Sequence, residues 1–339
     1  MLHIIVPKIV DRILQTDGRG SCDYVEPFCG SGVVFTNVLK MLLCRADSKK
    51  KLNIRFRIYD DNEFIIDFWN VLMKWDDVKI MLDNIKRIIK PYTRAKNKEA
   101  QKREYLLIRD RFNSTEIRCA KPVMRAAYFI VLMKLCYGSI PRFNKSGQLN
   151  IPPGYRNVKT LSDIIDVQNL LEIQKMLTDK KLHEKAGMKM KIEFTHMDIR
   201  NSVINFIPKN KGINCVCYMD PPYDDSFDMY GGIYENITSE VQWAIMMLLE
   251  RSKKTGMKTP TVMVSNCRLF SNRYCKYKII IKIKDKHDIH KKPREEVLVS
   301  NKSLGEGGDI VIRITRDKTD IENSKSKQKD EERRRKYMI

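Results

Sequence analysis

Asp23-Tyr24-Val25-Glu26-Pro27-Phe28-Cys29-Gly30-Ser31-Gly32-Val33-Val34-Phe35 is the stretch on which the fold turns. Its first residues read as a short strand that Pro27 and the two glycines bring to a tight turn. Val33, Val34, Val38, Leu39 and Leu42 then recur at helical spacing. Glycines between a strand and a helix let the backbone approach a ligand, with the helix N-terminus beside it. A tight turn without a ligand is the plain alternative. The spacing is not Gly-x-Gly-x-x-Gly and no Gly-Lys-Ser/Thr follows, so neither a dinucleotide fingerprint nor a P-loop is indicated.

Outward from this turn the pattern continues as α/β. An amphipathic stretch, 4–14, precedes it; a second strand, 54–59, follows, ending in Asp60-Asp61-Asn62 and leading to a helix over 63–73. Strand, glycine turn, helix, strand and acid is the order of a nucleotide-binding half. Helical periodicity then covers 77–90, 98–112 and 123–136, and Arg142-Phe143-Asn144 with Gln148-Leu149-Asn150-Ile151 flanks a turn as a hairpin. Strand signals resume at 189–195, 215–219, 261–265, 276–283, 296–300 and 310–315, with a helix at 240–253. The expected fold is therefore α/β: a Rossmann-like, mostly parallel sheet interrupted after its second strand by a mainly helical module. The boundaries are 1–72 and 160–315 for the catalytic part, 73–159 for the insert and 316–339 for a charged disordered tail.

Charge divides along the same lines. The 339 residues carry 64 Lys+Arg against 42 Asp+Glu, a net +22. Residues 86–160 hold 18 basic and 4 acidic side chains, and 276–294 hold 8 and 2, while the rest is close to neutral. Charge concentrated in this way marks a surface for a polyanion, nucleic acid foremost. No run reaches the ~18 apolar residues of a membrane span, and Met1 opens no signal peptide. Nine cysteines without a Cys-x-x-Cys pair point to a reducing, intracellular setting, and Cys215 and Cys217, two apart in an apolar run, suit buried thiols better than a zinc site. No metal is expected: His287 and His290 lack further ligands. Trp69, Trp75 and the run Met246-Met247-Leu248-Leu249 read as core, and the basic run 333–336 as a solvated tail.

The candidate chemistry lies at strand ends. Asp60 can accept from ribose hydroxyls and Asp198 from an exocyclic amino group, although either could instead cap a helix. Asp220-Pro221-Pro222-Tyr223 follows an apolar strand. Its two prolines remove amide donors and stiffen the turn, which leaves the Asp220 carboxylate and the Pro221 carbonyl as acceptors for a planar amino group. Tyr223 offers a face on which a flipped base can stack.

With these residues in place, the chain resembles the Dam-type (D12 class) N6-adenine DNA methyltransferases. Residues 25–35 are similar to that family's S-adenosylmethionine loop, Asp60-Asp61-Asn62 to its ribose turn, and Asp220 to Tyr223 to its target-base motif. Met197-Asp198-Ile199 stands where the family has an Asp-Phe pair. Tyr105, Arg109, Phe112 and Asn113 resemble a family helix, residues 142–152 its DNA-binding hairpin, and residues 296–301 a late strand. Met1-Leu2-His3 stands where the family's glycine–lysine loop would lie, with neither residue present.

The resemblance implies a site-specific adenine DNA methyltransferase using S-adenosylmethionine on double-stranded DNA, with a partner restriction endonuclease as a further expectation. It places Asp220, Pro221, Pro222 and Tyr223 at the reacting base. Glu26, Phe28, Gly30, Gly32, Asp60, Asp198 and Ile199 fall at the cofactor, and Arg109, Asn113, Arg142, Asn144, Lys145 and Asn150 on DNA. The alternatives are a catalytically impaired DNA-binding relative and an amino-group methyltransferase acting on RNA.

Overall fold

The computed structural model describes residues 2–15, 21–45, 51–139, 141–198, 214–221, 261–265, 277–285, 294–300 and 310–316. The helix expected at 240–253, His287 and His290, the Met246–Leu249 run and the tail beyond 316 lie outside them.

The amphipathic start folds as α1 (Leu2–Leu14), which turns Ile5, Val6, Ile9, Val10 and Ile13 into the core. Strand β1 (Ser21–Glu26), α2 (Val33–Arg45), β2 (Leu52–Asp60) and α3 (Glu63–Leu72) follow as the sequence anticipates. The chain then leaves the sheet for α4 (Trp75–Thr93), α5 (Lys98–Asn113), α6 (Thr115–Arg118) and α7 (Pro122–Leu135). Three more helices come before the sheet resumes: α8 (Leu161–Ile164), α9 (Val167–Thr178) and α10 (Lys180–Lys185). Asp166 and Asp179 cap α9 and α10 through their side chains, a start signal with a clear physical basis.

Strands β3 (Met188–His196), β4 (Asn214–Met219), β5 (Thr261–Ser265), β6 (Tyr277–Asp285), β7 (Arg294–Ser300) and β8 (Ile310–Arg316) complete one sheet in the order β3-β2-β1-β4-β5-β7-β6-β8. The first five strands are parallel; β7 runs antiparallel to both β5 and β6, and β8 is parallel to β6. The expected α/β class and largely parallel sheet are present, with an antiparallel interruption at β7. Central strands β1, β4 and β5 are buried almost end to end; β4 and β5 are largely apolar, whereas β1 carries Asp23 and Glu26 into the interior. Cys215 and Cys217 are buried in β4.

Strand β1 pairs with β2 on one side and with β4 on the other, Cys22 facing Ile54 and Asn214. The connection therefore reverses direction at β1, and such a switch point opens a crevice at the carboxyl ends of the strands. Beneath the crevice Trp69 stacks on Phe194 with centroids 5.3 Å apart, and Phe35 meets both rings edge-on. Trp75 departs from the core expectation: it opens α4, is 46% exposed, and carries the Lys79 ammonium 5.3 Å over its ring.

Helices α4 and α7 pack on one another, and α7 also packs on α3. A charged contact fixes the α3–α7 junction. Arg125 Nε lies 2.7 Å from Asp67 Oδ2, its Nη1 lies 2.9 Å from Glu63 Oε2, and its guanidinium faces the Phe64 ring.

Candidate active site at the sheet switch point

The glycine turn between β1 and α2 is shaped by backbone geometry that other residues resist. Gly30 and Gly32 have φ of 49° and 68°, in the left-handed region. A Cβ on Gly32 would strike the Trp69 indole, whereas a Cβ on Gly30 would meet open space within 4 Å. One glycine thus seats the turn on the core while the other keeps an open surface above it. Phe28 beside them is half-buried.

Two acids lie against this turn, and a third follows the edge strand β3. Glu26 ends β1 and is almost wholly buried; the Tyr24 hydroxyl donates to its Oε2 at 2.6 Å, and the Phe35 amide in the first turn of α2 hydrogen-bonds to it. Burial first, with Asp220 and Asp60 adding to it, pushes the Glu26 carboxyl up to about 8, against the lowering effect of its hydrogen bonds. Asp60 ends β2 and accepts from the Gly30 amide at 2.7 Å and from the Asn62 amide at 2.9 Å. Its burial raises the carboxyl pKa and those two amides oppose the rise. Asp60 is not the cap of α3, a task that Asn62 performs through its side chain. Asp198 lies two residues beyond β3, half-buried.

Asp220 follows β4 directly and is exposed, with Pro221 buried behind it. Its Oδ1 accepts a 2.7 Å hydrogen bond from the Ser265 hydroxyl, which in turn accepts from the Tyr218 hydroxyl at 2.8 Å. Pattern reading passed over Ser265, because a serine ending an apolar strand carries no periodic signal. Only the pairing of β4 with β5 brings it to Asp220. Ile199, Pro222 and Tyr223 lie outside the described residues.

The second group of expected residues gathers around the hairpin. Asn150 donates its amide to the Arg142 carbonyl and Asn144 to the Gln148 carbonyl, with Phe143 and Leu149 bridged. Asn113 binds Leu149 twice, donating from Nδ2 at 3.0 Å and accepting at Oδ1 at 2.8 Å, as a second strand would. Asn144 Oδ1 accepts from the Ser146 and Gln148 amides and so closes the hairpin tip. Arg142, Lys145 and Asn150 are exposed, and Arg109 is largely covered, with its Nη2 3.4 Å from Asp110. The six residues therefore divide into hairpin builders, Asn113 and Asn144, the open side chains Arg142, Lys145 and Asn150, and the largely covered Arg109.

Among the described residues no group of three or more His, Cys, Asp and Glu is placed to hold a metal ion, and no helix is long and apolar enough to cross a membrane.

A glycine turn and strand-end acids gathered at the switch point of a parallel sheet place the chain in the Rossmann-like α/β class, whose sites lie in this crevice. The narrower identity comes from comparison. The profile of the D12 class N6 adenine-specific DNA methyltransferases matches residues 4–289, and the chain belongs to that family. It is 34% identical over 160 residues to the type II methyltransferase M.MjaIII of Methanocaldococcus jannaschii, covering 47% of this chain and 50% of the relative. It is 26% identical over 247 residues to the DNA N-6-adenine-methyltransferase of Escherichia phage P1, covering 71% of this chain and 26% of that protein. The matches thus span half or less of these curated relatives. Among solved structures, an rRNA methyltransferase, aviRa of Streptomyces viridochromogenes, aligns over 89% of this chain and 86% of its own at 12% identity and a TM-score of 0.31.

Proposed function

We propose that this chain methylates N6 of adenine in double-stranded DNA, using S-adenosylmethionine. The observation that carries the reading is Asp220 with Pro221 at the end of β4, beside the acid-rimmed glycine turn, in a chain of the D12 family. S-adenosylmethionine supplies an electrophilic methyl group on a positively charged sulfonium. The crevice suits a cation: the carboxylates Asp220 and Asp60 act on buried Glu26 and help keep it protonated, and a positive charge would relieve that repulsion. The open backbone above Gly30 leaves room for a ligand to approach. Glu26, Phe28, Gly30, Gly32, Asp60, Asp198 and Ile199 would hold it.

The chain's own part in the reaction is orientation. The Asp220 carboxylate and the Pro221 carbonyl accept the two N–H groups of the adenine amino group, which turns the nitrogen lone pair toward the methyl donor. Pro222 keeps the segment stiff, and Tyr223 stacks on the flipped base.

Residues 1–72 and 160–315 form the catalytic part in this reading, 73–159 the target-recognition insert, and 316–339 a charged tail. Arg142, Lys145 and Asn150 on the hairpin, with Arg109 behind it, meet DNA; Asn113 and Asn144 set the hairpin's shape. The type II name of the archaeal relative supports a partner restriction endonuclease, and a DNA substrate supports an intracellular setting.

The test is a transfer assay with tritiated S-adenosylmethionine and an unmethylated duplex rich in adenine sequence contexts. Label should enter adenine N6, and Asp220→Ala should abolish transfer while duplex and cofactor binding persist. Duplex binding without cofactor binding or transfer would overturn the proposal in favour of an impaired relative. Label entering RNA alone would overturn the substrate.

A further inference from the structure

We infer that Ser265 is a positioning residue for transfer: its hydroxyl fixes the plane of the Asp220 carboxylate, so that Asp220 presents its remaining acceptor positions to the target amino group. The inference rests on the proposed transfer reaction. Asp220 is exposed at a strand end, where an aspartate side chain usually finds a backbone amide one or two residues on. Here the next two residues are Pro221 and Pro222, which have no N–H to give. The motif that frees two acceptors therefore also removes the two nearest backbone amides that could hold the carboxylate.

A firm anchor comes from the neighbouring strand. Met219 pairs with Val264 across the parallel β4–β5 ladder, so the next residues along, Asp220 and Ser265, emerge side by side. Ser265 is fully buried, and its Oγ lies 2.7 Å from Asp220 Oδ1. The Tyr218 hydroxyl, 2.8 Å away in a side chain that is 1% exposed, donates to the same Oγ. A serine has one proton to give, and an ionised carboxylate can only accept. With its acceptor side taken by Tyr218, Ser265 directs that proton at Asp220, and a hydrogen bond to a charged acceptor is short and strong. The result is a chain of hydroxyls rooted in the core that ends on the residue placed at the reaction.

Such a role separates orientation from binding. Ser265→Ala should lower kcat about 10- to 100-fold, the scale at which small misplacements of reacting groups act, and should leave cofactor Kd and duplex KM within about threefold. Ser265→Thr, which keeps the hydroxyl, should recover most of the rate. Tyr218→Phe should cost only a few fold, because the serine proton remains. In an Asp220→Asn background, where the carboxylate is gone, Ser265→Ala should lose much less than it does in the wild type. If Ser265→Ala fails to fold, Ser265→Cys replaces it, a side chain of similar size with a much weaker donor.

A folded Ser265→Ala enzyme with wild-type kcat, or the same loss in both Asp220 backgrounds, would overturn the inference while leaving the proposed function in place. A wild-type chain that transfers nothing to adenine overturns the proposed function and this role with it.

Discussion

Glu26 sits at the end of β1 with its carboxyl shielded from water, held by the Tyr24 hydroxyl and the Phe35 amide, and its affinity for a proton extends to about 8. In the unfolded chain the same group titrates near the ordinary carboxylate value of about 4.3. Between those limits the native state holds a proton that the unfolded state has released, so stability falls as pH rises through the window. Glu26→Gln keeps the shape and removes the titration. Urea midpoints at pH 5 and pH 8 should therefore fall further for the wild type than for the variant, with a contribution of up to about 1.4 kcal/mol per pH unit. Asp23, Asp60 and Asp67 are raised by burial in the same direction and are common to both proteins. Equal pH profiles would show that Glu26 is ionised in the fold. At this scale Glu26, Gly30, Gly32, Asp60 and Asp220 are legible in sequence because each stands at a strand end or a turn. Ser265 is not, because its meaning depends on a partner 45 residues away.

Elements were legible in proportion to their local pattern. Helices α4, α5 and α7 have the expected period; α4 runs two to three residues past each expected end, while α5 and α7 match to within one residue, since helix ends are set by capping as well as by burial. Helices α9 and α10 were not anticipated from sequence, although Asp166 and Asp179 cap them and Leu170 and Leu177, seven residues apart, are buried in α9. The place of β7 between β5 and β6 has no local signature, because strand order follows from long-range pairing. The junction of α7 with α3 was equally hidden: Arg125 and Asp67 are 58 residues apart, and their side chains are only 18% and 9% exposed. Burial raises the Asp67 carboxyl and Arg125 opposes that rise. Arg125→Ala would leave Asp67 enclosed without its partner. It should destabilise the protein by about 3–5 kcal/mol, the range for breaking one side of a buried pair. Pairing it with Asp67→Asn should recover a large part of that loss in urea titrations.

For the molecule as a whole, the net charge of +22 resolves into a place. Arg87, Lys90, Arg94, Lys96 and Arg103 line a groove of about 660 Å³ between the end of α4 and the start of α5, with Glu104 as the acid on its edge. Arg103 and Asn113 lie on the same helix, so groove and hairpin are separated by about 15 Å at 1.5 Å of rise per residue. Duplex phosphates could thus be met at both ends of α5. Replacing Lys90, Arg94 and Arg103 by Gln should weaken duplex binding and reduce the slope of log K against log salt by up to about 0.9 for each phosphate no longer neutralised. Cofactor affinity should not move; if it fell while duplex binding held, the groove would belong to the catalytic half. The order of the sheet has a consequence for synthesis as well. β1 finds β2 within a few dozen residues, yet its other neighbour, β4, begins only at Asn214. A ribosome must deliver all of α3 to α10 before that edge of β1 can be covered, and the strand that carries the glycine turn waits longest for its partner. Unpaired edges invite wrong pairing, so the helical stretch in between sets a delay during which a half-made sheet has to stay solvated.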